Sequence, residues 1–366
     1  MDVNVELQNF IRVWFAAIGA LCYCYYCVTR IPSGVLRLLF VFPIVYFFLI
    51  LPLDLSSFHL GAPTIFYLVW LANFKLLLFC FDRGPLSSYS SLPLLHFLSI
   101  ALLPVKPTYI IRDGFKISST QSVQGTERVP GLFWGKIILL AAIIRVYNYR
   151  ELLHSNVILV LYCLHIYLAV EFILAITVIP VRALLGLEIE PQFNDPYLAT
   201  SLQDFWGRRW NLMVPGILRP AVYFPVRGIL TSSLGKELAS LPAIFATFLV
   251  SGLMHELIYY YLSRVRPTWE VTWFFVFHGI CVCIEVTVKN FLHGGWQMNR
   301  VVSGVLTLAF VAWTGDWLFF PQIIRNGLDQ KAINEYYVMA AAAASDFKSS
   351  TGQQLQPATG VRRPAH

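Results

Sequence analysis

Apolar runs fill this chain from end to end, and short polar links separate them. Runs long enough for a membrane span, or nearly so, lie at 10–28, 35–53, 61–81, 92–105 (short), 132–146, 157–181, 241–262, 271–288 and 301–320. A helix needs about 20 apolar residues to cross the hydrocarbon core. The pattern therefore predicts an all-α, polytopic transmembrane helix bundle of about 8–9 spans. Pro43 and Pro52, inside and at the end of the second run, are tolerated in lipid where neighbours satisfy the freed carbonyls. No fixed-period repeat is present.

The stretch between Val181 and Leu241 breaks the pattern. Pro191, Pro196, Pro215, Pro220 and Pro225 interrupt it, while Trp206, Trp210, Tyr223 and Phe224 suit an interface. It reads as amphipathic or re-entrant helices in a central loop, which a membrane permits where they line a cavity. Lys and Arg concentrate in this loop (Arg182, Arg208, Arg209, Arg219, Arg227, Lys236) and at Lys106, Arg112, Lys116 and Arg128. On a nine-span count the excess of basic residues puts both the N-terminus and the central loop in the cytosol. One domain is expected over 1–335, with its core motifs at 191–262. The stretch 340–366 is Ala-, Ser-, Gln- and Pro-rich and reads as a disordered tail.

Composition sharpens this picture. Of 366 residues, 57% are apolar and only 13% charged, and the mean hydropathy is +0.63. A soluble protein keeps about 25% charged residues, so much of this chain's solvent is lipid. The net charge of +7 is accounted for by membrane orientation and calls for no nucleic acid. Seven cysteines, several within apolar runs, make no disulfide framework. Cys22, Cys24 and Cys27 suit a structural or palmitoylated cluster better than a metal site. Asp2 and Glu6 replace the basic start of a signal peptide, so the first run is expected to stay as a helix.

Several chemistries are excluded. The eight histidines include no two closer than eleven positions, which removes the clustered ligands of membrane di-iron enzymes. His255-Glu256-Leu257-Ile258-Tyr259 opens like a zinc-protease helix but has Tyr where the second ligand belongs. There is no Gly-x-Ser-x-Gly elbow, no His-x-x-x-Asp and no P-loop.

What remains centres on His255. It lies about 14 residues into its run, roughly 21 Å along a helix axis, and an intramembrane histidine is by default functional. Burial favours the uncharged ring, which can accept a proton from a hydroxyl. Ser251 and Gly252, one turn earlier, leave room beside the imidazole for a helix or for substrate. Asn211 offers a carboxamide to donate to a carbonyl oxygen turning negative or to orient the imidazole, or else a helix cap or loop hydrogen bond. Arg208 and Arg209 suit either the phosphates of coenzyme A or anionic lipid head groups. His278 and Glu285 share a face and are read as structural partners, as is Glu256.

Three stretches together resemble the plant wax synthases, a branch of the membrane-bound O-acyltransferase superfamily. They are Pro52–Ser87, including Trp70-Leu-Ala-Asn-Phe-Lys75; Gln203–Asn211; and Ser251–Glu256. Asp204-Phe-Trp-Gly-Arg-Arg-Trp-Asn211 is similar to the superfamily's Asp-Trp-Trp-Asn type of motif, with a Gly-Arg-Arg insertion before the final Trp-Asn. The resemblance implies that Asn211 and His255 are the signature catalytic pair. Asp204, Trp206, Arg208, Arg209, Trp210 and Ser251 would then contact acyl-CoA. It further implies transfer of a fatty acyl group to a long-chain alcohol, endoplasmic reticulum residence, and no cofactor or metal beyond the acyl-CoA donor. A sterol acceptor is the alternative; diacylglycerol and a non-catalytic carrier or channel are more distant ones.

Overall fold

A computed structural model of the chain describes residues 3–87, 93–106, 109–112, 115–118, 130–186, 189–292 and 298–354. The fold is a helical bundle, and among the described residues seven helices are long and apolar enough to cross a membrane. α1 (Val3–Tyr26) and α2 (Val35–Ile50) form a hairpin. α3 (Phe58–Ile65), a π-helical segment (Phe66–Ala72) and α4 (Asn73–Cys80) continue into one another as a single rod. This rod is the most deeply enclosed of the seven. α5 (Leu94–Leu102) is short, and a small antiparallel hairpin pairs Tyr109–Arg112 with Phe115–Ser118.

α6 (Pro130–Val146) lies antiparallel to α7 (Ser155–Leu185). Lys136 meets Glu171 at 2.8 Å, and further on Tyr147 packs on Tyr162. The central loop holds α8 (Leu202–Asp204), α9 (Met213–Leu218) and α10 (Phe224–Leu238), with π-helical turns at Phe205–Arg209 and Arg219–Tyr223. α11 (Ser240–Ser263), α12 (Glu270–Phe291) and α13 (Arg300–Thr314) follow. A last π turn (Gly315–Phe319) leads into α14 (Phe320–Arg325), and α15 (Leu328–Gln354) closes the chain. α15 runs as helix into the stretch expected as a tail, whose remainder from 355 lies outside the described residues.

Two expectations need correction. The fourth apolar run is no span: α5 has 9 residues, about 14 Å of helix, too short to cross. It folds back near the loop end of the rod, where Lys75 Nζ donates to the carbonyls of Ile100 and Leu103 at 2.7 Å each. Lys106 then pairs with Glu190 of the central loop at 2.7 Å.

α1 starts at the end of the bundle away from the central loop, opposite to the side expected from the nine-span count. α11 starts beside that loop and ends at Arg264, whose guanidinium donates to Leu53 O at 2.8 Å. At this same far end Glu6 accepts from the Ser56 and Ser57 backbone N–H groups, and Arg12 pairs with Asp54 at 2.7 Å. An apolar run of 14 residues carries no mark of whether it crosses or turns back, so hydropathy alone counted α5 as a span.

Two helices meet very closely. A Cβ on Gly252 would stand 3.0 Å from the Thr272 carbonyl oxygen, and one on Gly279 would stand 2.8 Å from Phe248 Cβ. Of the two uses the sequence leaves open beside the imidazole, a helix or substrate, Gly252 serves the first, the contact between α11 and α12. At the far end of that pair, Glu256 accepts from the Thr268 and Trp269 N–H groups and from Thr272 Oγ1, and so caps the start of α12.

Candidate active site

His255 lies on α11, eight residues before its far end, within the thickness of the bundle. Its Nδ1 is 2.8 Å from the carbonyl oxygen of Ser251, one turn back. A carbonyl oxygen can only accept, so Nδ1 carries the proton. In the neutral ring the lone pair is then on Nε2, which has no hydrogen-bond partner among the described residues. The residue is only half-buried despite its depth. Aromatic rings surround it. Phe275 of α12 stacks on the imidazole at 4.2 Å between centroids and 25° between planes. Trp70 of the rod meets it edge-on at 5.1 Å and 82°, and Phe319 of the last π turn lies 6.2 Å away.

The central loop enters the bundle through its own aromatics. Trp206, on the π turn Phe205–Arg209, packs against Phe275 at 5.6 Å, so it and His255 share that ring. It also touches Phe248, Phe274 and His278. Trp210 stacks on Phe205 at 5.5 Å and 17°, and packs on Phe193 and on Tyr167. Tyr167 lies well inside α7, which places this part of the loop among the spans.

Asn211 follows Trp210 with φ +37°, a left-handed conformation that asparagine tolerates better than other non-glycine residues. Its side chain does not cap α9, the alternative that the sequence left open. Instead Oδ1 is buried without a hydrogen-bond partner. No hydrogen bond links Asn211 to His255. The segment 205–211 approaches the imidazole through Trp206 and the Phe275 ring.

The remaining candidates separate clearly. Asp204 and Arg209 are committed to each other at 2.6 Å. Asp204 also accepts from Thr200 N–H, and Arg209 donates to the carbonyls of Asn194 and Asp195. They form a clip that shapes the loop. Trp210 belongs to the wall against α7. Ser251 acts through its backbone carbonyl. The Arg208 guanidinium is exposed with no partner among the described residues, and Arg219, also exposed, donates to Gly207 O at 3.1 Å. Those two guanidiniums remain able to meet an anion.

His278 is wholly buried, with Nε2 3.2 Å from Thr314 Oγ1. Glu285 pairs with Lys289 and accepts from Gln203 N–H at 3.1 Å, tying α12 to the loop. Both fit the structural reading.

Four polar atoms around this site are buried without partners: Trp70 Nε1, Trp206 Nε1, Asn211 Oδ1 and His278 Nδ1. Such atoms are rare in native interiors and call for an explanation. Of these, Trp70 touches the imidazole itself, Trp206 shares the Phe275 ring with it, and His278 packs on Trp206, so unpaired polar atoms stand in the same apolar wall as a histidine with a free lone pair. The rings of Trp70, Trp206 and Phe319 all stand on π-helical turns, a feature frequent at functional sites. A π turn has no sequence signature of its own, so the roles of Trp70, Phe275 and Phe319 were not legible, although Trp70 falls in a stretch that carried the resemblance.

Comparison with known proteins gives the family. The model of the membrane bound O-acyl transferase family matches residues 189–277, a range that holds both Asn211 and His255. A long-chain-alcohol O-fatty-acyltransferase from Simmondsia chinensis is 51% identical over 93% of this chain and 96% of its own length. An acyl-CoA--sterol O-acyltransferase 1 from Arabidopsis thaliana is 46% identical over 92% of this chain and 96% of its own. With likeness of this extent along nearly the whole bundle, the chain belongs to the membrane bound O-acyl transferase family.

Proposed function

We propose that the protein transfers a fatty acyl group from acyl-CoA to a long-chain alcohol, forming a wax ester and free CoA. The observation that carries this reading is the lone pair of His255 Nε2, directed by the Ser251 carbonyl and enclosed by aromatic rings. The alcohol hydroxyl gives its proton to Nε2 as its oxygen bonds to the thioester carbonyl carbon. The C–S bond breaks, and the departing CoA sulfur takes the proton from the imidazolium. No acyl-enzyme is needed, because the thioester is already activated and both substrates are held together. The apolar wall keeps water from competing for the acyl group.

The Asn211 carboxamide suits the developing oxyanion. Its buried, unpartnered end supports that role, since an amide flip would turn its N–H groups to the same place. Arg208 and Arg219 suit the phosphates of CoA at the loop face, which on this reading is cytosolic, in the endoplasmic reticulum membrane. The alcohol would arrive from the bilayer.

The acceptor follows the Simmondsia chinensis relative by name and by its higher identity. The Arabidopsis thaliana relative named for a sterol supports a second reading, with the same chemistry and a different acceptor. Expression in a wax-free host fed hexadecanol or a sterol tests the two. Wax ester with hexadecanol supports the proposal, and steryl ester alone replaces it with the second reading.

A further inference from the structure

The stretch Trp70–Lys75 has no place in the reaction just described, yet it reaches the base directly. Trp70 is 1% exposed and stands edge-on to His255 at 5.1 Å, opposite in character to the parallel stack of Phe275 at 4.2 Å. The Ser251 carbonyl holds one nitrogen of the imidazole. A single hydrogen bond leaves the ring free to tilt about it, and a stacked phenyl leaves it free to slide. An indole edge perpendicular to both limits each motion.

The surroundings of Trp70 hold it in place. It stands on the π segment Phe66–Ala72, whose register places the indole toward α11. Asn73 Nδ2 donates to Val69 O within this segment, at 3.2 Å, and to Val45 O of α2, at 3.3 Å. Lys75, fully buried, clamps the rod to the end of α5 through two carbonyls. On the other side Tyr67 Oη lies 3.2 Å from Thr177 Oγ1 of α7. The rod is thus tied to three neighbouring helices within three turns. Its largest side chain is left with a buried Nε1–H that bonds to nothing, which a simple space-filling role does not require.

We propose that Trp70 is a positioning residue for His255, and that Asn73 and Lys75 hold the rod in the register that brings it there. The proposal rests on His255 being the base. Trp70 and Phe275 together fix the direction of Nε2, and the face of the stacked Phe275 ring borders the imidazole as it gains positive charge in the reaction. Loss of this constraint affects the chemical step more than the binding of either substrate.

The test compares Trp70→Leu and Trp70→Phe with the wild type in membranes, using labelled palmitoyl-CoA and hexadecanol. Monodispersity in detergent and binding of a non-reactive acyl-CoA analogue confirm folding. The expected result is a kcat lower by about 10- to 100-fold in Trp70→Leu, with both KM values within about twofold, and substantial recovery in Trp70→Phe, which keeps an aromatic edge. A raised KM with unchanged kcat, or an unchanged kcat in a folded Trp70→Leu, overturns the proposal. Should Trp70→Leu fail to fold, Trp70→Phe against Trp70→Met carries the same comparison. A wild type that forms no ester defeats the underlying reading instead, so the two failures are distinct.

Discussion

His255 of α11 and Phe275 of α12 lie almost parallel, 4.2 Å between ring centres. The helices approach closely enough for this because Gly252 places no side chain against the Thr272 backbone, where a Cβ would stand 3.0 Å from the carbonyl oxygen. The obstacle is main chain, which cannot swing aside. Gly252→Ala is therefore expected to wedge the helices apart and to cost about 1–3 kcal/mol of stability. Thermal unfolding in detergent measures this. A melting temperature equal to that of the wild type would show that the contact is looser than described.

Asn211 tests the oxyanion role separately from backbone strain. Its φ of +37° suits glycine at least as well as asparagine. Asn211→Gly removes the carboxamide without penalising the turn, so synthesis should fall by about 10²–10³-fold while thermal stability changes little. Loss of stability in step with activity would make the residue architectural.

The arginines divide by partner. Arg208 and Arg219 are exposed at the loop face, and replacing either by Ala should raise the KM for acyl-CoA, most visibly at low salt. Arg209 is clipped to Asp204 at 2.6 Å, so Arg209→Ala should lower stability and kcat together. Steady-state kinetics across salt concentrations separates the two patterns.

A carboxylate at the far end of the bundle gives a pH signature. Burial would raise the Glu335 carboxyl, but hydrogen bonds from the His59 side chain, the His59 and Phe58 N–H groups and Ser57 Oγ outweigh it and hold it down at about 2, against 4.5 for a free glutamate. A group depressed in the folded state stabilises above its unfolded value and loses that contribution as pH falls toward the folded one. Glu335→Gln should therefore lower the melting temperature near neutrality, and the gap to wild type should narrow as pH falls below 4.5. A gap that does not depend on pH would remove the linkage.

The helices and the proposed base were legible in the sequence for a common reason. Long apolar runs have one stable form in lipid, and a histidine inside one stands out against its neighbours. Asn211 was visible only through a motif, because a left-handed turn between helical turns has no periodic mark. α5 misled because its run is apolar for packing under Lys75 rather than for crossing. Charge near a motif does not disclose its partner, so the sequence alone does not separate the Asp204–Arg209 clip from a substrate contact. Trp70 lay in a stretch that carried the resemblance, but its meeting with His255 depends on a π turn and on a contact between residues nearly two hundred positions apart.

The central claim is that His255 Nε2 takes the proton of the acceptor alcohol. The direct measurement is wax ester formation from labelled palmitoyl-CoA and hexadecanol by His255→Ala membranes, matched to wild type for folded protein. The account predicts a loss of about 10²–10⁴-fold with acyl-CoA binding retained. Near-normal ester synthesis by the folded variant would contradict it.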